Sequence, residues 1–211
     1  MISGRFVRFV WSQFRNPSGL FGRFIGNGMA RRNDYDARWT VSLLDIHPDD
    51  HILEIGFGPG VSTQYASEKA TTGLVVGIDH SETMVQAARR RNADAIKAGR
   101  IELKQGDVAS VPYPDESFDK VFSIHSIYFW ERPVDCLKEL RRVLKPDGLL
   151  AITIKPKDKW TEAQRRETSS STLYFSTDLT QLFSKAGFHD VRVEVCPEQD
   201  KFPGECVLGI K

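Results

Sequence analysis

This 211-residue chain has few cysteines, almost no net charge and no long apolar run. Its three cysteines are odd in number, far apart and in no metal-ligand pattern, so neither a disulfide framework nor a cysteine-rich metal site is predicted. A formal net charge of +1 gives no polyanion-binding signature, so we expect no nucleic-acid partner. No run approaches the roughly 20 apolar residues of a membrane helix. We therefore expect a cytoplasmic protein with reduced thiols at Cys136, Cys196 and Cys206.

The charge that is present is unevenly placed, because residues 1–33 hold six arginines and no acid. Apolar residues recur among the arginines at helical spacing, which predicts a basic amphipathic helix. We favour an N-terminal helical cap over residues 1–40 that covers a pocket in a domain formed by residues 41–211. Two other interpretations stay open, a peripheral contact with a membrane surface and an Arg-rich organelle transit peptide.

The most informative feature that is present is the segment HILEIGFGPG at residues 51–60. An apolar run carries Glu54 near its end and is followed by glycine at alternate positions, Gly56, Gly58 and Gly60. Glycine is needed where the backbone takes a positive φ or approaches a ligand closely. A buried strand that enters a glycine turn before a helix is typical of a site for a nucleotide-like cofactor.

The alternation of apolar segments predicts the fold class. Strand-like and helix-like segments alternate five times, which favours a parallel sheet covered by helices on both faces. Two late strands, near residues 191–195 and 206–210, are joined by too short a connection for a parallel crossover and should form an antiparallel hairpin. We predict an α/β fold with a doubly wound seven-stranded sheet, mostly parallel, with the last strand antiparallel. The predicted helices span residues 61–70, 83–98, 135–144 and 178–186, and the basic stretch 155–176 is predicted to be an exposed insertion or lid.

The spacing of the glycines indicates which cofactor is bound. A dinucleotide-binding turn has the pattern Gly-x-Gly-x-x-Gly, and here the third glycine comes one position early. Glu54 would repel a pyrophosphate but suits S-adenosylmethionine, which carries an ammonium and a sulfonium group. Asp79 and Asp107 follow the next two strands, where they are placed to accept hydrogen bonds from the ribose hydroxyls and the adenine amino group, while the Val108 N–H donates to the ring. One such acid is an ordinary turn residue, but three at successive strand ends favour a single nucleoside site.

Four stretches make the chain resemble the class I S-adenosylmethionine-dependent methyltransferases, in the small-molecule branch that includes ubiquinone-biosynthesis-type C-methyltransferases. They are LEIGFGPG (53–60), VVGIDHSETMV (75–85), QGDVASVPYPDESFDKVFS (105–123) and LKELRRVLKPDGLLAI (137–152). The resemblance implies the Rossmann-like methyltransferase fold and S-adenosylhomocysteine as product. It also implies a donor site in which the glycine loop wraps the methionine part, Asp79 holds the ribose and Asp107 the adenine. The remaining residues implied at this site are Phe57, His80, Met84, Gly106 and Val108.

The methyl acceptor is less well defined by the sequence. Residues 123–130 (SIHSIYFW) follow the fourth strand toward the transferred methyl, and His125 is the candidate general base for a hydroxyl or acidic-carbon acceptor. The alternative is that His125 only forms part of the pocket wall. Candidate acceptor-binding residues are Tyr35, Trp39, Tyr128 and Trp130, although aromatic residues at a strand end are equally well explained as core.

Two other functions stay open at this point. An NAD-dependent oxidoreductase is disfavoured by the glycine spacing, and a non-catalytic module that binds S-adenosylmethionine and regulates a partner is the second alternative. The Asn/Asp-Pro-Pro-aromatic motif of nucleic-acid and glutamine N-methylation is absent after the fourth strand, so we expect O, N or C methylation of a small molecule. No metal site is predicted, because HPDDH at residues 47–51 indicates a turn into the first strand.

Overall fold

One seven-stranded sheet lies at the centre of the computed structural model, which describes residues 34–167, 171–197 and 204–211. Its strands are β1 (His51–Ile55), β2 (Leu74–Asp79), β3 (Ile101–Gln105), β4 (Phe118–Ile124), β5 (Leu144–Ile154), β6 (His189–Val195) and β7 (Glu205–Ile210). They lie in the order β3-β2-β1-β4-β5-β7-β6. Strand β7 runs antiparallel to both of its neighbours, and the remaining neighbours are parallel. The predicted sheet, with its antiparallel last strand and its closing hairpin, is confirmed.

The helices connect these strands and begin and end where their capping residues permit. They are α1 (Asp34–Leu43), α2 (Val61–Lys69), α3 (Glu82–Arg91), α4 (Ala93–Lys97), α5 (Pro133–Val143), α6 (Glu162–Glu167) and α7 (Ser176–Ala186), with 3-10 turns at Ile127–Phe129 and Lys157–Lys159. Ser81 caps the N-terminus of α3 by accepting the Met84 N–H with its side-chain hydroxyl. Gly187 ends α7 with a φ of 92°, which is the left-handed conformation that glycine adopts at little cost.

Alternation along β1 shows how the sheet is covered on both faces. Leu53 and Ile55 lie in a buried cluster with Leu140 of α5 and Phe183 of α7. Ile52 lies in a second cluster, which includes residues of α1, α2 and α3. Because successive side chains of a strand point to opposite faces, these clusters occupy the two sides of the sheet. The fold is therefore doubly wound.

The strand order reverses at β1, which pairs with β2 on one side and with β4 on the other. The chain leaves β1 toward α2 on one face of the sheet and leaves β4 toward α5 on the other face. In open α/β sheets a crevice forms at such a reversal, outside the carboxyl ends of the strands. Ligand-binding residues are therefore expected just after β1, β2 and β4.

Two predicted boundaries differ from the structure. The helix predicted over residues 83–98 is interrupted at Asn92, whose buried side-chain amide donates to the carbonyls of Gly60 and Ala88 at 3.0 Å each. This side chain joins α3 to the glycine loop, and the chain restarts as α4. The apolar pattern predicts a fifth strand over residues 149–154, but β5 begins five residues earlier, at Leu144, and its pairing with β4 shifts register between Leu144 and Leu149.

The stretch 155–176 is fastened at both ends. The Lys157 N–H donates to the Tyr174 carbonyl at 2.8 Å, and the Thr172 N–H donates to the Tyr128 carbonyl at 3.1 Å. Its role as a lid stays a prediction. The predicted cap at residues 1–40 falls largely on residues 1–33, which lie outside the described residues. Within the described part of the chain, no helix is both long and apolar enough to cross a bilayer.

Candidate active site

A cavity of about 530 Å³ lies at the carboxyl ends of β1, β2 and β4, where the strand order reverses. Its size falls in the roughly 300 to 1,000 Å³ range of small-molecule sites. Ten of the eleven residues predicted for the donor line it: Glu54, Gly56, Phe57, Gly58, Asp79, His80, Met84, Gly106, Asp107 and Val108. His125 and Trp130 line the same cavity. The structure therefore brings the predicted donor residues and the predicted base together.

The three glycines of the loop all have positive φ, 72° at Gly56, 53° at Gly58 and 77° at Gly60, but their surroundings differ. A Cβ on Gly56 would lie 2.5 Å from the Cβ of Ser126, and one on Gly60 would lie 2.7 Å from the Cβ of Ala88. Packing within the protein therefore leaves no room for a side chain at Gly56 or Gly60. Gly60 is the N-cap of α2 and lies outside the cavity lining. A Cβ on Gly58 would meet no atom of the described residues within 4 Å. Gly58 is therefore where the loop backbone is open to a ligand.

Glu54 presents a buried carboxylate to the cavity. The residue is 1% exposed, and the hydroxyls of Ser62 and Thr63, in the first turn of α2, donate to its two oxygens. Burial raises the pKa of Glu54 to about 7, against the opposing effect of the two hydroxyl donors, and the charge of Asp79 adds to the rise. The charge of Glu54 near neutral pH therefore depends on what occupies the cavity.

Asp79, the last residue of β2, joins the glycine loop to the start of α3. Its carboxylate accepts the Gly58 N–H and the Ser81 N–H, each at 2.8 Å. Burial raises the pKa of Asp79, and the two backbone donors oppose that rise. No lysine or arginine of the described residues contributes to the pKa of Asp79 or Glu54. Glu54, which is buried, and Asp79, which is partly buried, thus face one cavity, and neither forms an ion pair with a lysine or arginine of the described residues.

The turn after β3 forms another wall of the cavity. The Asp107 carboxylate accepts the Ala109 N–H at 2.9 Å, and the Ser110 N–H donates to the Asp107 carbonyl at 3.1 Å, so the turn is tight. Val108 is buried and packs in the first core cluster. Cys136 also lines this end, and burial raises the pKa of its thiol to about 11, which keeps it neutral. This end of the cavity is an apolar slot with a carboxylate at its edge.

His125, the residue after β4, is held by contacts from three elements. Its Nε2 lies 2.7 Å from the Asp36 carboxylate of α1, and its backbone N–H donates to the Thr153 carbonyl of β5 at 2.9 Å. Its Nδ1 lies 3.4 Å from the Tyr128 hydroxyl. A φ of 55° is uncommon for a residue other than glycine and costs about 1 kcal/mol or more. Such strain at a cavity wall is a reason to look for a function of the side chain.

Three residues predicted to contact the acceptor lie outside the cavity lining. Tyr128 is buried, and its hydroxyl accepts the Lys155 N–H at 2.6 Å. Tyr35 is 42% exposed, and Trp39 packs against the second core cluster. Their role in binding an acceptor stays a prediction, whereas the fourth candidate, Trp130, lines the cavity.

Several residues of the site are missed by sequence reasoning. Asp36, which bonds to His125, lies between Tyr35 and Ala37 in α1, and nothing in its local pattern marks it. Hydroxyl residues are common at the start of a helix, so Ser62 is distinguished only by its contact with Glu54. The other lining residues that were missed are Ala37, Ile55, Pro59, Val61, Ile78, Ala109, Ile124, Ser126, Glu131, Arg132, Asp135 and Cys136.

Comparisons with known proteins point to one family. A family model described as a methyltransferase domain matches residues 53–152. The chain is 34% identical over 166 residues to the uncharacterized methyltransferase YdaC of Bacillus subtilis. The aligned region covers 79% of this chain and 86% of YdaC. It is 33% identical over 116 residues to the ubiquinone/menaquinone biosynthesis C-methyltransferase UbiE of Ectopseudomonas mendocina, covering 54% of this chain and 45% of UbiE. The matched region is thus less than half the length of UbiE.

A solved structure shares the fold. The crystal structure of a SAM-dependent methyltransferase from Aquifex aeolicus superposes with a TM-score of 0.70, over 96% of this chain and 97% of that one. The two sequences are 22% identical, so the likeness concerns the fold. It agrees with the strand order and the antiparallel last strand described above.

Proposed function

Because the chain belongs to the class I S-adenosylmethionine-dependent methyltransferases, in the branch that includes the ubiquinone-biosynthesis-type C-methyltransferases, we propose that it methylates a small-molecule acceptor by in-line displacement. The predicted family, enzyme class and methyl donor are confirmed. S-adenosylmethionine supplies a methyl group that is activated by the positive charge on its sulfur. The protein contributes alignment, which can provide roughly 7 to 11 kcal/mol in such a reaction.

The proposal depends most on two carboxylates that line one cavity, those of Glu54, which is buried, and Asp79, which is partly buried. Leaving Glu54 and Asp79 charged without a cation is costly in a buried site. A ligand with an ammonium and a sulfonium group relieves that cost, whereas a pyrophosphate would add to it. The residues therefore fit S-adenosylmethionine better than a dinucleotide, which argues against the oxidoreductase alternative.

We assign the donor residues from their places around the cavity. Glu54 holds the ammonium group, Asp79 accepts from the ribose hydroxyls, and the open backbone at Gly58 receives the methionine part. The apolar slot at Asp107 and Val108 takes the adenine. His125 is the candidate base on the wall formed by the end of β4. A base on this wall favours an enzyme over a non-catalytic binding module.

The buried thiols and the small net charge bear on the location and the partners of the protein. The three cysteines are buried and free, which supports the cytoplasmic location inferred from the sequence. A net charge of +1 supports a small-molecule acceptor and no nucleic-acid partner. A peripheral membrane contact through residues 1–33 is kept as a proposal.

Calorimetry and turnover test the proposed function directly. S-adenosylhomocysteine should bind, NADH should not, and labelled donor should be consumed with an acceptor from a metabolite panel. Tight NADH binding without S-adenosylhomocysteine binding would contradict the assignment. Donor binding without transfer to any acceptor would instead support the regulatory module.

The affinity for S-adenosylhomocysteine is expected to rise with pH and to level off above about pH 7. Glu54 has a pKa of about 7 in the empty protein, and its charged form is the one that attracts an ammonium group. If the protonated form does not bind, affinity changes about tenfold per pH unit below that value. Calorimetry from pH 5.5 to 8 measures the slope. Binding at pH 6.5, in buffers of different ionisation enthalpy, should also release a proton.

Glu54→Gln is the control for this pH dependence. The ammonium group of the free ligand has the same pKa in both experiments. Any difference between the pH profiles of affinity of the wild type and of Glu54→Gln is therefore due to Glu54. The raised pKa also means that the empty wild-type protein loses stability as pH rises from about 4.5 to about 7, because the folded state holds the proton more tightly. Glu54→Gln should lose this trend as well. Parallel pH profiles for the two proteins would refute the assignment.

Gly58→Ala is expected to weaken S-adenosylhomocysteine binding about tenfold or more, equivalent to about 1.4 kcal/mol, because the new methyl group occupies the open side of the loop. Its effect on folding should be small, about 1 kcal/mol, since the only cost is alanine at a positive φ. Calorimetry and chemical denaturation measure the two effects separately.

Gly99→Ala is the matched control. Gly99 has a φ of 73° and, like Gly58, no atom of the described residues within 4 Å of a built Cβ, but it lies outside the cavity lining. It should lose the same stability and keep full affinity. If Gly58→Ala also keeps full affinity, the loop does not approach the donor at this residue.

A further inference from the structure

We propose that Asp36 is a positioning residue that makes His125 the base for an acceptor with an acidic hydroxyl, of the phenol class. The proposal rests on the proposed methyl transfer. It adds a residue from α1 to the site and narrows the acceptor to a group that must lose a proton.

The contact with Asp36 fixes which nitrogen of His125 is available. Asp36 is buried, and its Oδ2 lies 2.7 Å from Nε2. An ionised carboxylate can only accept, so Nε2 carries the hydrogen of this bond. In the neutral ring the lone pair is then on Nδ1. A carboxylate that binds the other ring nitrogen also stabilises the imidazolium that forms when Nδ1 takes a proton.

The second neighbour of the ring makes only a long contact with Nδ1. The Tyr128 hydroxyl lies 3.4 Å from Nδ1 and 3.3 Å from the Lys155 carbonyl. Both distances exceed the 2.7 to 2.8 Å that is usual for an O–H donor. Tyr128 is itself firmly held, because it accepts the Lys155 N–H at 2.6 Å. An acceptor hydroxyl that reaches Nδ1 therefore replaces only a weak contact.

The placement of α1 is secured independently of Asp36. The Thr40 hydroxyl, one helical turn after Asp36, lies 2.6 Å from the Thr153 hydroxyl of β5, and both are buried. Tyr65 of α2 and Arg38 hold the first turn of α1 through Asp34. Since these contacts already dock the helix, the bond from Asp36 to His125 is not needed as an anchor.

The lining around His125 indicates the class of acceptor. Ala37, Ile124 and Phe129 contribute apolar surface to the cavity that His125 lines. Apolar lining together with a base suits a flat ring that carries a hydroxyl. An amine needs no base before transfer because its lone pair is already free, whereas a phenol is a much better nucleophile once it loses its proton.

The acceptor's O–H proton passes to Nδ1 of His125 while its oxygen electron pair forms the bond to the methyl carbon. The carbon–sulfur bond breaks, and its electron pair stays on sulfur, which becomes neutral. The positive charge moves to the imidazolium beside Asp36, and the proton later leaves to water.

The test compares Asp36→Asn with Thr40→Val on two phenols of different acidity at pH 8.5. p-Cresol is protonated at this pH, with a pKa of about 10 like that of tyrosine, whereas p-nitrophenol is ionised and needs no base. Asp36→Asn should lower kcat for p-cresol about 100-fold and for p-nitrophenol less than about threefold, since a general base contributes roughly 100- to 10,000-fold. Thr40→Val should affect both phenols equally. The matched anilines should be poorer acceptors than the phenols.

A second readout does not depend on turnover. Nitrogen-15 NMR of the ring should show the Nε2–H tautomer of His125 in the wild type and in Thr40→Val, and a mixture of tautomers in Asp36→Asn. Equal losses on the two phenols, or an unchanged tautomer, would reduce Asp36 to a structural anchor and overturn the proposal. Methylation of anilines but not of phenols, or of neither, would overturn the acceptor class. Failure to bind S-adenosylhomocysteine at all would instead overturn the proposed donor site.

Discussion

Replacing Asp79 with asparagine is expected to weaken S-adenosylhomocysteine binding about 100-fold or more, because a hydrogen bond to a charged group is worth about 1.5 to 3 kcal/mol. Both carboxylate oxygens already accept a backbone N–H, from Gly58 and from Ser81. An amide NH2 at either place faces another donor, so one backbone N–H loses its partner. The ribose hydroxyls lose the charged acceptor at the same time. Calorimetry measures the affinity, and thermal unfolding reports the change in stability.

Asp119→Asn separates the loss of affinity from the loss of stability. Asp119 lies at the opposite end of the sheet, where its carboxylate accepts the His51 N–H at 2.8 Å and pairs with Lys145. It is thus another strand aspartate with a backbone donor, but it is remote from the cavity. Both variants should unfold more easily, and only Asp79→Asn should lose affinity. If the two bind S-adenosylhomocysteine equally, Asp79 does not hold the ribose.

Replacing His125 with asparagine is expected to lower turnover by about 100- to 10,000-fold, the usual contribution of a general base, while the affinity for S-adenosylhomocysteine is retained. Asparagine tolerates the positive φ of this position, so the backbone should keep its path. The cost to stability should be about 1 to 3 kcal/mol, because the Asp36 carboxylate loses its donor. Turnover is measured on the acceptors that the wild type methylates.

His125→Gly provides the companion measurement. Glycine removes the backbone strain as well as the side chain, so it separates strain from chemistry. Both variants should bind the donor normally and both should be inactive. If either retains turnover within about tenfold of the wild type, well short of the loss of a general base, His125 only forms part of the cavity wall.

Much of the fold and of the donor site is predictable because it depends on local pattern. The alternation of strand and helix determines a sheet covered on both faces, and the short final connection determines the antiparallel β7. Glu54, Asp79 and Asp107 are recognisable because each lies near the end of a strand, and parallel strands end at a common edge. The glycine pattern then restricts the ligand.

The parts that were missed depend on contacts between residues distant in sequence. Asp36 and His125 are 89 residues apart, and no sequence pattern near Asp36 predicts the contact. The local sequence predicts a helix that continues past Asn92. The helix is interrupted there because the Asn92 side-chain amide donates to the Gly60 carbonyl. The aromatic pattern around Tyr128 predicts an acceptor site as readily as a core position, and only tertiary packing distinguishes them.

The bond between the Gly58 N–H and Asp79 also bears on how the donor enters and leaves. Asn92 holds the same loop from the side away from the cavity, by donating to the Gly60 carbonyl at 3.0 Å. The conformational entropy of this loop is therefore lost during folding and not during ligand binding. A site that is already rigid favours tight binding for this reason. We therefore expect S-adenosylhomocysteine to be exchanged for S-adenosylmethionine without a rearrangement of this loop.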